Sequence, residues 1–144
     1  MLHLTLGMPS DQFYNLARYL FATAGINWLT DVIRVALIDT TRYTFDPTHQ
    51  YLSAVSPGAI IFTSTPLSSK TVSASGACSA ANVVIDALTN ANPVAAFLIY
   101  KDTGAAGTSP LIVFLQSYSN LPALPTGGSF TILWPTDGNG IFTL

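Results

Sequence analysis

The chain has 144 residues, enough for one domain with a sizeable core, and 49% of them are hydrophobic. Only 8% are charged, against a usual share of about 25%, and every acidic residue is Asp. Five dispersed basic residues and a net charge of -2 provide no basic stripe for nucleic acid, and no apolar run reaches the roughly 18 residues of a membrane span.

The scarcity of charge favours a domain that covers much of its surface with partners. The alternative is a very stable secreted β domain coated with Thr and Ser. The N-terminus lacks the basic segment that begins a signal peptide. Cys78 is the only cysteine, so no intrachain disulfide can form, which fits synthesis in a reducing cytoplasm.

Residues 1–9 are predicted to form an N-terminal arm. Leu2, Leu4 and Leu6 alternate with other residues, as the side chains on one face of a short strand do. Either this arm adds to the sheet edge of a neighbouring molecule, or it is a frayed tail or an edge strand of its own domain.

Residues 10–24 are predicted to form the one clear helix. Ser10 after Pro9 is a favourable N-cap, and Gly25 is expected to end the helix in the left-handed conformation. The residues that recur with helical spacing form a single apolar face: Phe13, Leu16, Ala17, Leu20, Phe21 and Ala24.

After the helix the pattern is that of β-strands. Apolar and β-branched runs between turn residues predict strands at 32–39, 59–65, 70–76, 79–86, 94–101, 110–118, 129–135 and 140–144. The first run is apolar enough to be covered on both faces, and a short turn, 136–140, joins the last two. We therefore expect residues 10–144 to form one mainly β domain, an antiparallel β-sandwich or barrel of about seven strands with one N-terminal amphipathic helix.

The segment 100–111, YKDTGAAGTSPL, is the stretch most suggestive of a phosphate loop. Such a loop needs Gly-x-x-x-x-Gly-Lys-Ser/Thr before a helix, but Gly104 and Gly107 are too close together and no Lys follows them. We predict instead a hairpin loop over 104–109, with Pro110 at the start of the next strand, where its missing N–H matters least.

No group of residues makes a convincing catalytic or metal site. Asp39, Asp46 and His49 share one loop region, but their spacing matches no known metal site. Cys78 has only His3 and His49 as conceivable partners, so it is predicted to be a buried apolar side chain. No Gly-x-Ser-x-Gly elbow occurs, and seven scattered Asp residues give no support to a glycosidase. We expect no enzyme, no cofactor and no metal.

Aromatic residues and one arginine are the remaining candidates for contacts. Trp28, Trp134, Phe13 and Tyr19 are conceivable walls of a sugar groove, although alternating strand aromatics more often form core. Arg34 interrupts an apolar strand and is expected to pair with an acidic residue, Asp31 or Asp86, or to contact a second chain. The long loop 40–58 is rich in aromatics and is therefore predicted to be packed.

Four short sequence motifs follow one another along the chain. They are W-x-x-D-x-I-x-V-x-L-x-D-T at 28–40, Y-K-D-T-G at 100–104, L-P-x-x-P-x-G-G at 121–128, and W…G-x-F-x-L at 134–144. With them, residues 10–144 resemble a group of small structural proteins of tailed bacteriophages. The resemblance implies a virion component and implies no enzyme, cofactor or catalytic residue.

Low charge, the absence of a convincing active site and the resemblance together predict a non-enzymatic capsid decoration or cement protein. It would be made in the host cytoplasm, lie on the outer capsid surface, and bind the major capsid protein and other copies of itself, without nucleic acid or membrane. The alternatives are a neck, connector or tail component, or a host-recognition or carbohydrate-binding module of a tail or fibre. The predicted partner contacts are Leu2, Leu4, Leu6, Arg34, Tyr43, Phe45 and Tyr51.

Overall fold

The computed structural model describes residues 12–118 and 120–144, which form antiparallel sheets and one short N-terminal helix. The mainly β prediction is confirmed in its sandwich form, and the barrel alternative is wrong because no sheet closes on itself in this part of the chain. The elements are α1 Asn15–Ala22, β1 Ile33–Ile38, β2 Ile60–Thr63, β3 Thr71–Val72, β4 Ala77–Ser79, β5 Val83–Ile85, β6 Ala96–Lys101, β7 Leu111–Leu115, β8 Phe130–Ile132 and β9 Phe142–Thr143. Short 3-10 turns lie at Leu52–Ala54, Pro57–Ala59 and Ala106–Thr108.

The central sheet has four antiparallel strands in the order β2-β1-β6-β7. Every residue of β7 and nearly every residue of β1 and β6 is buried, as expected for apolar runs that are covered on both faces. Phe97 lies opposite Leu115, while Phe114 lies opposite Leu98. Since neighbouring residues of a strand point to opposite faces, the rings of Phe97 and Phe114 lie on opposite sides of the sheet.

Different parts of the chain cover these two faces. On one face, Trp134, just after β8, packs edge-on against Phe97 with ring centroids 6.4 Å apart. On the other face, Tyr43 packs against Phe114 with centroids 5.6 Å apart. Tyr43 belongs to the loop 40–58, so the prediction that this loop is packed is confirmed.

Two smaller sheets, β3-β4-β9 and β5-β8, complete the sandwich. The predicted strands 70–76 and 79–86 are three strands, because β4 pairs with both β3 and β9 whereas β5 pairs with β8. The short turn 136–140 does join β8 to β9, but these two strands pair with β5 and β4 rather than with each other.

The helix is shorter than the predicted 10–24 span, and Ser10 lies outside the described residues. Tyr14 occupies the N-cap position, and its N–H bonds to the carbonyl of Ile112 over 3.1 Å, while Phe13 forms a β-bridge with Val113. Phe13 and Tyr14 therefore lie along the edge of β7 and are not part of the helix.

The predicted left-handed ending at Gly25 is wrong, because Ala24 takes the positive φ of 62°. Gly25 instead lies close to the Leu20 side chain. A Cβ at this position would lie 2.6 Å from Cδ2 of Leu20, so the Leu20 side chain would have to move to accommodate it. Its N–H caps the helix by bonding to the carbonyl of Leu20 over 2.7 Å.

Candidate interaction surface

Arg34 has neither of the partners predicted for it. Its Nε donates to Oδ2 of Asp102 over 2.6 Å, and its Nη1 donates to the carbonyl of Ser64 over 2.9 Å. Asp31 pairs instead with Lys101. The antiparallel register explains the difference, because it places the end of β6 beside the start of β1. Arg34 keeps 28% of its side chain exposed, so its predicted contact with a second chain stays a prediction.

All five basic side chains have partners within the described part of the domain. These partners are Asp102 for Arg34, Asp31 for Lys101 at 3.1 Å, Asp39 for Arg42 at 3.6 Å, the carbonyl of Asp31 for Lys70, and the Phe13 ring for Arg18, 5.5 Å from its centroid. The surface therefore offers little positive charge that is not already engaged.

Tyr43 was predicted to contact a partner, but it is part of the core of its own domain. Tyr43 is only 6% exposed. Its hydroxyl lies 3.0 Å from the hydroxyl of Tyr14 and 3.0 Å from Nδ1 of His49. Burial raises the pKa of both tyrosines. A partner could not reach the Tyr43 ring unless the loop opened.

The other predicted contacts differ in how far the structure describes them. Phe45 and Tyr51 are half-buried: Phe45 stacks on Phe114, and Tyr51 forms a β-bridge with Pro110. Both therefore offer only part of their surface to a partner. Leu2, Leu4 and Leu6 lie outside the described residues.

The acidic residues of the loop region form turns. Oδ1 of Asp46 accepts hydrogen bonds from the N–H and hydroxyl of Thr48, and these bonds lower the pKa of Asp46. Asp39 is bound in the same way by Thr41, which lowers the pKa of Asp39. Over residues 12–118 and 120–144, no three His, Cys, Asp or Glu side chains come together as metal ligands.

Cys78 is fully buried in β4, as predicted. Burial raises the pKa of its thiol to about 12, so the thiol stays protonated at neutral pH. A protonated and inaccessible thiol is a poor nucleophile.

The loop 104–109 joins β6 to β7 as a hairpin, which confirms the turn prediction. Oδ1 of Asp102 accepts a hydrogen bond of 2.8 Å from the N–H of Gly104. This bond and the one from Arg34 lower the pKa of Asp102. The N–H of Gly104 is therefore already hydrogen-bonded within the turn and is not a free donor for a phosphate.

The conceivable sugar groove does not form among the described residues. Trp28, Trp134 and Phe13 are 3%, 4% and 6% exposed, and each indole N–H donates to a main-chain carbonyl. Tyr19 alone of the four is exposed. The prediction that Trp134 belongs to the core is confirmed.

An open apolar groove of about 430 Å³ lies between α1 and β9, and we call it the α1–β9 groove. Its lining consists of Phe13, Arg18, Phe21, Ala22, Thr143 and Leu144. The strand β9 is the outer strand of its sheet, so one of its edges pairs with no strand in the part of the chain described. Sequence patterns assigned Phe13 and Phe21 to a core-facing helix surface, and no local signal indicated that the last strand would lie beside them.

Large apolar side chains are exposed at several places on the described surface, one of them Leu144 in the α1–β9 groove. The set comprises Tyr19, Leu29, Val32, Phe62, Val72, Val84, Leu124 and Leu144. Val84 illustrates the reason: it alternates with the buried Val83 and Ile85 on β5, so it points away from the core and is 60% exposed.

A second, more polar groove of about 320 Å³ lies between β3 and the turn 136–140. Four of its lining residues carry hydroxyl groups: Thr71, Ser73, Ser79 and Thr136. It contains no aromatic or charged side chain among its lining residues, so it lacks the stacking surface typical of sugar sites.

No protein-family model matches this chain, and no curated protein is significantly similar to it in sequence. Within residues 12–118 and 120–144, no helix has the length and apolar character required to cross a membrane.

Proposed function

We propose that this chain is a non-enzymatic structural protein of a tailed-bacteriophage virion, and that it is a capsid decoration or cement protein. In this role it binds the major capsid protein and other copies of itself on the outer surface of the shell. The resemblance of residues 10–144 to small phage structural proteins motivates the phage assignment. Surface chemistry supports the binding role.

The observation that carries the proposal is the combination of exposed apolar side chains with basic side chains that already have partners. Among the described residues, eight large apolar side chains are exposed, while each basic side chain has a partner in its own domain. Exposed apolar surface with little free charge is typical of a protein that covers it by assembly. A capsid shell presents many copies of one such complementary surface.

A host-recognition module has less support, because three of the four aromatic residues considered for a sugar groove are buried. A neck or tail component would share the same surface chemistry. Copy number separates these possibilities, since a shell has far more equivalent positions than a neck ring or a tail tip.

The test is the copy number of this protein per purified particle, measured by quantitative mass spectrometry against the major capsid protein. Decoration predicts a ratio near one or a simple fraction, which corresponds to hundreds of copies, roughly. About a dozen copies would move the protein to the neck or tail. Finding none in the particle would overturn the virion assignment.

A further inference from the structure

We propose that the α1–β9 groove receives the N-terminal arm, residues 1–9, of a second copy of this chain. The proposal rests on the homo-oligomer part of the proposed function and names the surfaces that would meet. It does not depend on where in a virion the protein lies.

The groove and the arm have matching chemistry. Phe13, Phe21, Ala22 and Leu144 give the groove apolar walls, and Leu144 is 57% exposed. Among the described lining residues Arg18 alone is charged, and its guanidinium lies over the Phe13 ring. Residues 1–9 contain no Asp, Glu, Lys or Arg and present leucine at every second position from 2 to 6, so one face of the arm as a strand is apolar.

The backbone of β9 offers the second half of the site. It pairs with β4 on one side through Cys78 and Phe142, and its other edge pairs with no strand in the described chain. An extended peptide can add to such an edge by main-chain hydrogen bonds, with alternate side chains entering adjoining pockets. The leucine face of the arm would enter the groove while its backbone pairs with β9.

The arm of a second copy can reach the groove. Phe13 lines the groove together with residues of α1 and β9. Phe13 also bridges Val113 in the antiparallel sense, so the chain reaches Phe13 from the Leu115 end of β7. Nine extended residues span about 30 Å, so an arm that leaves its own domain can reach a neighbouring copy, and the homo-oligomer of the proposed function supplies that neighbour.

Two complementary variants test the proposal with purified protein in analytical ultracentrifugation. Deleting residues 1–9 removes the arm and leaves the groove. Ala22→Arg fills the groove from an exposed position and leaves the arm. For each variant alone, the Kd of self-association is expected to be at least about tenfold higher than that of the wild-type chain. An equimolar mixture is expected to regain association, because the intact arm of one variant meets the intact groove of the other.

The matched control is Ala106→Arg, which adds the same side chain at an exposed alanine outside the groove lining and should behave like the wild type. Fluorescence of the buried Trp28 and Trp134 checks that each variant is folded. A monomeric wild-type chain, or a mixture that stays monomeric, would overturn the proposal.

Disulfide trapping identifies the occupant directly. The native Cys78 is buried, so Leu4→Cys in one copy and Leu144→Cys in another introduce the reactive thiols. The proposal predicts a crosslink between the two copies. A crosslink only within a chain that carries both substitutions would assign the groove to the molecule's own arm and overturn the proposal. The particle copy number is measured independently, so failure here leaves the virion proposal open to its own test.

Discussion

At the residue scale, Gly140 and Gly138 lie in the same turn and have the same backbone handedness but different surroundings. Their φ angles are +66° and +89°. A Cβ on Gly140 would collide with the main-chain carbonyl of Cys78, which also accepts the N–H of Ile141 over 2.7 Å. A Cβ on Gly138 would meet nothing within 4 Å.

We therefore expect Gly140→Ala to lower the free energy of unfolding by about 3 kcal/mol or more, since it adds a collision with β4 to the cost of the left-handed conformation. Gly138→Ala carries only the conformational cost, about 1–2 kcal/mol. Urea denaturation of the two variants measures the difference. Equal losses would show that the close approach of β9 to β4 at Cys78 is not a real constraint.

The partner of Arg34, also a matter of single residues, could not be predicted from the sequence. The residue type indicated either an acidic partner or a contact with a second chain, and Arg34 does have an acidic partner. Asp31 was attractive because it is close in sequence, but the carboxylate that Arg34 meets, Asp102, is 68 residues away. Only the register of β1 on β6 brings the two together, and a single sequence does not specify that register.

At the element scale, the loop 40–58 and the start of α1 are held together by a pair of buried hydroxyl groups. The Tyr43 hydroxyl lies 3.0 Å from that of Tyr14, the N-cap residue of α1. The main-chain N–H of Asn15 also bonds to the carbonyl of Pro47 over 2.9 Å. The loop therefore anchors the helix as well as covering the central sheet.

Removing one hydroxyl of this pair should cost more than the bond itself. Tyr43→Phe leaves the buried Tyr14 hydroxyl without that partner, so we expect a loss of about 1–3 kcal/mol. The double variant Tyr14→Phe/Tyr43→Phe should lose less than the sum of the two single variants, because it leaves no orphaned hydroxyl.

Chemical denaturation of the double-mutant cycle measures this coupling, with Tyr19→Phe as the control. Tyr19 is 63% exposed, so its hydroxyl should change stability by no more than about 0.5 kcal/mol. Strictly additive losses at Tyr14 and Tyr43 would mean that the two hydroxyls do not interact.

The long apolar strands and the short strands β2, β8 and β9 could be predicted from the sequence, but the segment 70–86 could not be divided correctly into its strands. The runs at 32–39, 94–101 and 110–118 contain β1, β6 and β7, because strands buried on both faces must be apolar throughout. The segment 70–86 is rich in small and polar residues, and two of its three strands, β4 and β5, pair with the distant strands β9 and β8. The α1–β9 groove was missed for the same reason, since it joins opposite ends of the chain.

At the scale of the whole molecule, the distribution of charge determines how association should respond to salt. The ion pairs Arg34–Asp102 and Lys101–Asp31 are internal to the domain, and the exposed apolar residues carry no charge. Added salt screens contacts between charges on different molecules but does not weaken the burial of apolar surface. Assembly of this protein should therefore depend little on ionic strength.

We expect self-association of the purified chain, and its binding to capsid shells that lack it, to change by less than about threefold between about 50 and about 500 mM NaCl. An interface held by several ion pairs between molecules would weaken by about tenfold or more over that range, because such pairs are screened. Sedimentation velocity measures self-association, and co-sedimentation measures shell binding. A salt-sensitive result would point to the partly exposed Arg34 and Asp102, and Arg34→Met should then remove the sensitivity. A salt-insensitive interaction instead assigns binding to the apolar surface on which the proposed function is based.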